Sequence, residues 1–250
     1  MDRSVVLVGV LAIAGCVEPV SEGIGTAPRI VTNALSPTAF ANSALISGVL
    51  DVTNAAAMGQ TSSARKVLAF ATTCALNLEQ SVEFTTNGVT YHYGGLMGVA
   101  PAWTDRALTA TEAAWVSACI VSRVNLTSSL VEISARGDNA GYDTTIGEVA
   151  DYQLEEGAFW GNAFTDLGTV QGFSCNGVTQ AADDTMGDLP LRECAEWDGV
   201  ANSNASACGF HYAGLCSDVC STNTAPYTGC SFLGGSASSD VVTTFLYGTP

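Results

Sequence analysis

Basic residues are scarce: the 250-residue chain has 8 lysines and arginines, Lys66 being the single lysine, against 24 aspartates and glutamates. The net charge of −16 repels phosphate backbones and anionic headgroups, which excludes nucleic acid as a partner and excludes electrostatic adsorption to membranes. Histidine is almost as rare. His92 and His211 are the only two, which leaves little room for histidine-based metal or acid–base chemistry. No apolar run approaches the roughly 18 residues that a membrane-spanning helix needs. The Gly-x-Ser-x-Gly elbow, the phosphate-binding loop, the dinucleotide fingerprint and His-Glu-x-x-His are all missing, so no known catalytic constellation is legible. No cofactor is expected on these grounds.

Hydrophobic residues, by contrast, make up 47% of the chain and charged residues 13%, enough to bury a full core and to set general disorder aside. At the start, Val5 to Ala14 form a short apolar run closed by Ile13-Ala14-Gly15-Cys16. That pattern reads as a secretion signal. Its last four residues resemble the lipobox of bacterial lipoproteins, which implies cleavage after residue 15 and diacylation of Cys16. Two or three acyl chains, at ~0.8 kcal/mol per buried methylene, would make the membrane anchor permanent. Val17 stands where an aspartate favours inner-membrane retention in enteric bacteria, so the resemblance points to the bacterial outer membrane or cell surface.

With Cys16 assigned to lipid, Cys74, Cys119, Cys175, Cys194, Cys208, Cys216, Cys220 and Cys230 remain. An even set in an oxidising compartment implies four disulfides, although eight cysteines allow 105 pairings and spacing does not choose among them. Two lie early and six late, which argues for one bridge in the first half and three in the second.

Residues 16–29 read as a tether of proline, glycine, serine and acids. Over residues 30–54, Ile30, Leu35, Phe40, Leu45 and Leu50 recur every five residues, a period that fits neither helix nor strand. The segment resembles pentapeptide-type repeats with one apolar residue per pentad pointing inward. Too short to stack as a solenoid, it reads as a spacer lying along the main domain, residues 55–250.

Thr61 offers an N-cap to a helix whose inner face holds Val67, Phe70, Ala71 and Cys74. Asn87-Gly88 marks a hairpin, and its register sets Phe84 opposite Tyr91, Val82 opposite Tyr93, and Glu83 opposite His92. Thr109 and Glu112 match a capping box, opening a second helix with Trp115, Val116, Cys119 and Ile120 on its apolar face. A Cys74–Cys119 bridge would pin the two helices, worth roughly 4 kcal/mol in the chain-entropy account. Later, β-like runs at Leu130–Ser134, Ala158–Phe164, Gly209–Ala213 and Val241–Tyr247 alternate with polar clusters. The expectation is an α+β fold: two helices packed on antiparallel β structure, with a disulfide-rich C-terminal half.

Candidate chemistry is thin. His211 lies between Phe210 and Tyr212 and reads as a packed or edge residue. Cys208, His211, Cys216 and Cys220 have zinc-like spacing, but thiols outside the cytosol oxidise, so disulfides are expected there. Asp151, Glu155 and Glu156 precede Ala158-Phe159-Trp160, and glycoside cleavage uses a carboxylate pair beside a stacking surface. Adjacent carboxylates on a strand face opposite ways, however, so Glu155 and Glu156 would not form the pair themselves. Asp183, Asp184 and Asp188 could hold calcium weakly. Arg136-Gly137-Asp138 reads as a loop.

Ala100 to Trp103, Trp115 to Cys119, Arg123 to Asn125, Glu155 to Asn162 and the run from Cys208 through Gly214 and Cys216 to Cys220 together resemble a group of myxobacterial-type secreted lipoproteins. Members of that group also carry Asn-Gly-Leu or Asn-Ala-Leu pentads ahead of the domain. The resemblance spans roughly residues 30 to 220 and implies no assigned activity. The leading expectation is a lipid-anchored surface protein acting as a binding or structural module toward a glycan or protein ligand. The competing one is a secreted hydrolase of envelope or extracellular glycans using Glu155 or Glu156. A pocket gathering two carboxylates would favour the hydrolase, and a flat aromatic patch the binding module.

Overall fold

The computed structural model describes residues 30–126, 130–177, 194–195, 197–206 and 208–248. Residues 1–29, where the signal and the tether with Cys16 are expected, and the acidic residues Asp183, Asp184 and Asp188 lie outside these residues. In chain order the elements are β1 (Ile30–Asn33), α1 (Pro37–Ala41), α2 (Val52–Met58), α3 (Ser62–Ala75), β2 (Ser81–Thr86), β3 (Val89–Gly94), α4 (Ala110–Ser122), β4 (Val131–Arg136), α5 (Ile146–Asp151), β5 (Leu154–Asn162), β6 (Gln171–Asn176), β7 (His211–Leu215), α6 (Cys216–Val219) and β8 (Val242–Leu246). Six strands form one sheet in the order β1-β4-β8-β5-β6-β7, and β2 and β3 pair separately. The class is α+β. Antiparallel pairing holds throughout except between β6 and β7, which run parallel.

Local chemistry places the two long helices where the sequence signals them. The Thr61 hydroxyl accepts the Ala64 N–H at 3.1 Å and opens α3. At α4, Thr109 and Glu112 cap each other reciprocally, satisfying two donors that the first turn leaves free. Arg106 adds a bidentate pair to Glu112, both contacts at 2.7 Å. The hydrogen bond from Arg106, reinforced by those from Thr109, pulls the Glu112 carboxyl down to about 2. The hairpin forms in the expected register, with Val82, Phe84 and Glu83 opposite Tyr93, Tyr91 and His92. Asn87 and Gly88 take φ of 52° and 75° at its turn, as a type I′ geometry requires.

Helix α4 is the centre of the molecule. Every residue from Trp115 to Ser122 is buried, because α3 packs on one side of it and β5 and β8 on another. The expected Cys74–Cys119 bridge joins α3 to α4. A helix buried all round needs few polar groups, and those present must be satisfied. Ser117 meets that condition twice over: its hydroxyl donates to the Ala113 carbonyl at 2.6 Å and accepts the Ala163 N–H at 2.9 Å. It thereby ties α4 to the end of β5.

The five-residue periodicity has a different meaning from the one its sequence suggests. Leu35, Phe40, Leu45 and Leu50 do point inward, at 0%, 4%, 1% and 2% exposure, but into the main hydrophobic core. Residues 30–54 are therefore built into the domain and do not lie along it as a spacer. Strand β1 pairs with β4. Leu35 exchanges backbone hydrogen bonds with Arg123 and Asn125, Leu45 O accepts from Thr165 N, Leu50 N donates to Trp103 O, and Leu108 N donates to Ser47 O. Asp166 clamps Ser47 through its N–H at 2.9 Å and its hydroxyl at 2.7 Å. Leu35, Phe40, Leu45 and Leu50 each deliver one apolar side chain to the core, and the backbone at Leu35, Leu45 and Leu50 is stitched to three different segments. Period five reflects this winding path, not a repeating solenoid turn.

Truncating one of these anchors should cost what a core cavity costs. Leu45→Ala is expected to lower the unfolding free energy by about 2–5 kcal/mol in urea titration, whereas a spacer residue would leave it unchanged. Deleting residues 30–54 should abolish cooperative unfolding altogether.

Candidate binding face

The six-stranded sheet has two covered faces. Ile133, Ala135, Leu154, Phe159, Val242 and Leu246 enter the core shared with α4. On the other face Ala158, Trp160, Cys175, Cys216, Tyr227, Cys230 and Val241 form a second cluster. Alternation along β5 and β8 sends successive side chains to the two clusters. Two disulfides hold the second layer, Cys175–Cys216 and Cys220–Cys230, while Cys194–Cys208 packs into the main core. Together with Cys74–Cys119 they consume all eight cysteines, one bridge in the first half and three in the second. The zinc reading of Cys208, Cys216 and Cys220 gives way for that reason: each sulfur is already bonded to another cysteine.

A row of rings crosses β5, β6 and β7 on this outer face. Trp160 stacks on Phe173 at 5.7 Å with 13° between planes, and Phe173 stacks on His211 at 5.2 Å and 29°. Phe232 leans over both Phe173 and His211 at 5.6 and 5.1 Å. Because the rings spend their faces on one another, the row stiffens this edge of the sheet more than it offers a flat platform. His211 is exposed on the outermost strand. Beside it opens a depression of about 560 Å³ lined by Asp218, Val219, Cys220, Ser221, Ser231 and Leu233 among others. Leu233, 78% exposed, is a large apolar side chain in this lining beside Asp218, Ser221 and Ser231.

The carboxylates do not converge. A bulge makes Glu156 the extra residue of β5, since Glu155 pairs with Phe245 and Gly157 with Thr244. Glu155 accepts the Tyr227 hydroxyl at 2.6 Å, on the side of the second cluster. Glu156, buried at 3% exposure, accepts the Thr244 hydroxyl at 2.6 Å. Thr244 shares its face of β8 with Val242 and Leu246, so the two carboxylates point to opposite sides of the sheet. Asp151 ends α5 and is exposed.

A second polar group occupies the same outer face near β4. Ser134 donates to Glu148 at 2.6 Å, and Arg136 donates to the Ser134 hydroxyl at 3.1 Å and to the Tyr152 carbonyl at 2.6 Å. The Arg136 guanidinium also lies 3.7 Å from the Phe245 ring centroid. Arg136 is thus committed to the fold and is not displayed with Gly137 and Asp138 as a recognition tripeptide. His92 faces Glu83 on the exposed side of the hairpin, apart from all of this.

Sequence reasoning missed β6 and the depression. The depression's wall is assembled from Ala213 of β7 and two segments, 218–221 and 229–237, which the sheet and the Cys220–Cys230 bridge bring together.

No family model matches the chain, and neither a curated protein nor a solved structure matches it.

Burial, with the neighbouring Glu132 carboxylate, raises the Tyr152 phenol to about 12. Its hydroxyl donates to Glu132 at 3.2 Å. The fold favours the neutral phenol, so its contribution is complete below the unfolded value of about 10 and is lost as pH rises through the folded one. Unfolding free energy measured in urea should fall between about pH 10 and 12, and Tyr152→Phe should make that fall shallower.

Proposed function

We propose that this is a lipid-anchored protein of the bacterial cell envelope, held through Cys16 at the outer membrane or cell surface, and that it works as a binding or structural module. On this reading it belongs with the myxobacterial-type secreted lipoproteins that its motifs resemble. One observation carries the choice of module over hydrolase: Glu155 and Glu156 are each committed to a hydroxyl of the fold, and neither is among the residues that line the depression. Cleavage of a glycosidic bond needs two carboxylates facing one substrate. The depression beside the aromatic row offers instead Asp218, Ser221 and Ser231 together with an exposed leucine in one lining, braced by the Cys220–Cys230 bridge. Such a surface suits contact with a glycan or a protein segment, with polar groups orienting the ligand and Leu233 supplying apolar area.

The test is metabolic labelling with a radioactive fatty acid in a bacterial host, followed by fractionation. The wild-type chain should carry label and sediment with membranes. Cys16→Ser should carry none and should stay with the unprocessed signal or in the soluble fraction. Label retained on Cys16→Ser would overturn the anchor.

A further inference from the structure

Two disulfides meet at one turn of chain. Cys216 and Cys220 stand four residues apart, the Cys220 N–H donating to the Cys216 carbonyl at 3.0 Å, and each is bonded to a different partner. The separation between these two bridges is small: Cys175 Sγ lies 3.9 Å from Cys220 Sγ, although the two are not bonded to each other. The sulfurs of Cys175, Cys216 and Cys220 all fall within 4.8 Å of one another. Accessibility differs sharply among them. Cys74, Cys119, Cys175, Cys194, Cys208, Cys216 and Cys230 are all buried, whereas Cys220 is partly exposed and lines the open depression.

We propose that Cys220–Cys230 is an exchange-competent bridge, through which a dithiol reductant transfers the crosslink of Cys220 to Cys175. A thiolate of the dithiol attacks the accessible Cys220 Sγ and expels the Cys230 thiolate. The second thiol of the reductant then closes the reductant's own disulfide and expels the Cys220 thiolate. Two electrons and two protons have passed from the dithiol to the bridge. The Cys220 thiolate attacks Cys175 Sγ, forming Cys175–Cys220 and breaking Cys175–Cys216, and the displaced Cys216 thiolate takes up a proton. This last step moves no net electrons, and its rate depends on access and on sulfur proximity. The other bridges join cysteines that are all buried, whereas Cys220 is the partly exposed one among the described cysteines, so the sequence of events starts here. Because α6 carries both Cys216 and the depression-lining Asp218, the transfer changes the tie on one wall of the depression. Reduction thus bears on the candidate binding surface while Cys74–Cys119 still holds the core.

The experiment uses the chain secreted into an oxidising periplasm. It is titrated with dithiothreitol, quenched with iodoacetamide and mapped by peptide mass spectrometry. The expected main two-electron species has Cys216 and Cys230 alkylated and a Cys175–Cys220 linkage. A main species with Cys220 and Cys230 alkylated and Cys175–Cys216 intact would overturn the proposal, as would concerted loss of all four bridges. Cys230→Ser supplies a second reading without reductant: Cys216 should appear as the alkylated thiol in place of Cys220. Cys220 as the sole alkylated thiol of that variant would count against exchange, and should the variant not be secreted, the wild-type titration decides.

Discussion

Everything in this molecule depends on burying α4. A helix with no solvent-facing side through most of its length cannot hold its position by amphipathicity, and must be gripped by neighbours on all sides. Here α3 and the sheet do so, and Cys74–Cys119 fixes the distance between the two helices. Ser117, satisfied inside the core by Ala113 and Ala163, sets the height of α4 against β5. Losing that hydroxyl would leave the Ala163 N–H without its partner, a defect of about 1–3 kcal/mol for a buried donor. Strand β5 in turn carries the bulge that separates Glu155 from Glu156. The geometry of the outer face therefore descends from the packing of one helix on the opposite side of the sheet.

The two halves of the chain solve the burial problem differently. In the first, long aliphatic and aromatic side chains supply the core, and the pentads thread through it to join β4, β5 and the loop at Trp103. In the second, much of the packed volume on the outer face is cystine and aromatic ring. Disulfides confine the unfolded chain and reduce the hydrophobic area that folding must gain. That allows short elements such as α6 and β7 to stand on the edge of a sheet with few apolar neighbours.

Much of this was legible in the sequence where a single local device dictates structure. Asn87-Gly88 fixed the hairpin register, Thr109 and Glu112 fixed the start of α4, and the inward helical faces of Cys74 and Cys119 pointed to the bridge that joins them. The pentads misled because period five has no local conformational cause. Its logic is tertiary, with each leucine answering to a different partner element. Strand β6 was missed because Gln171-Gly172-Phe173-Ser174 shows little apolar character, its place being secured by β5 and by Cys175–Cys216. The pairing of the six later cysteines was beyond spacing arguments. Cys216 and Cys220 are separated by one helical turn yet bond to partners 41 residues before and 10 residues after them respectively.

Native-state amide hydrogen exchange tests the central claim most directly. If α4 is the keystone, its amides from Ser117 to Ser122 should be among the slowest in the protein, exchanging only through global unfolding and with the same free energy as the β5 and β8 amides. Exchange of α4 through a cheaper local opening, while the disulfide-braced outer layer stayed protected, would contradict the account and move the organising constraint to the C-terminal bridges.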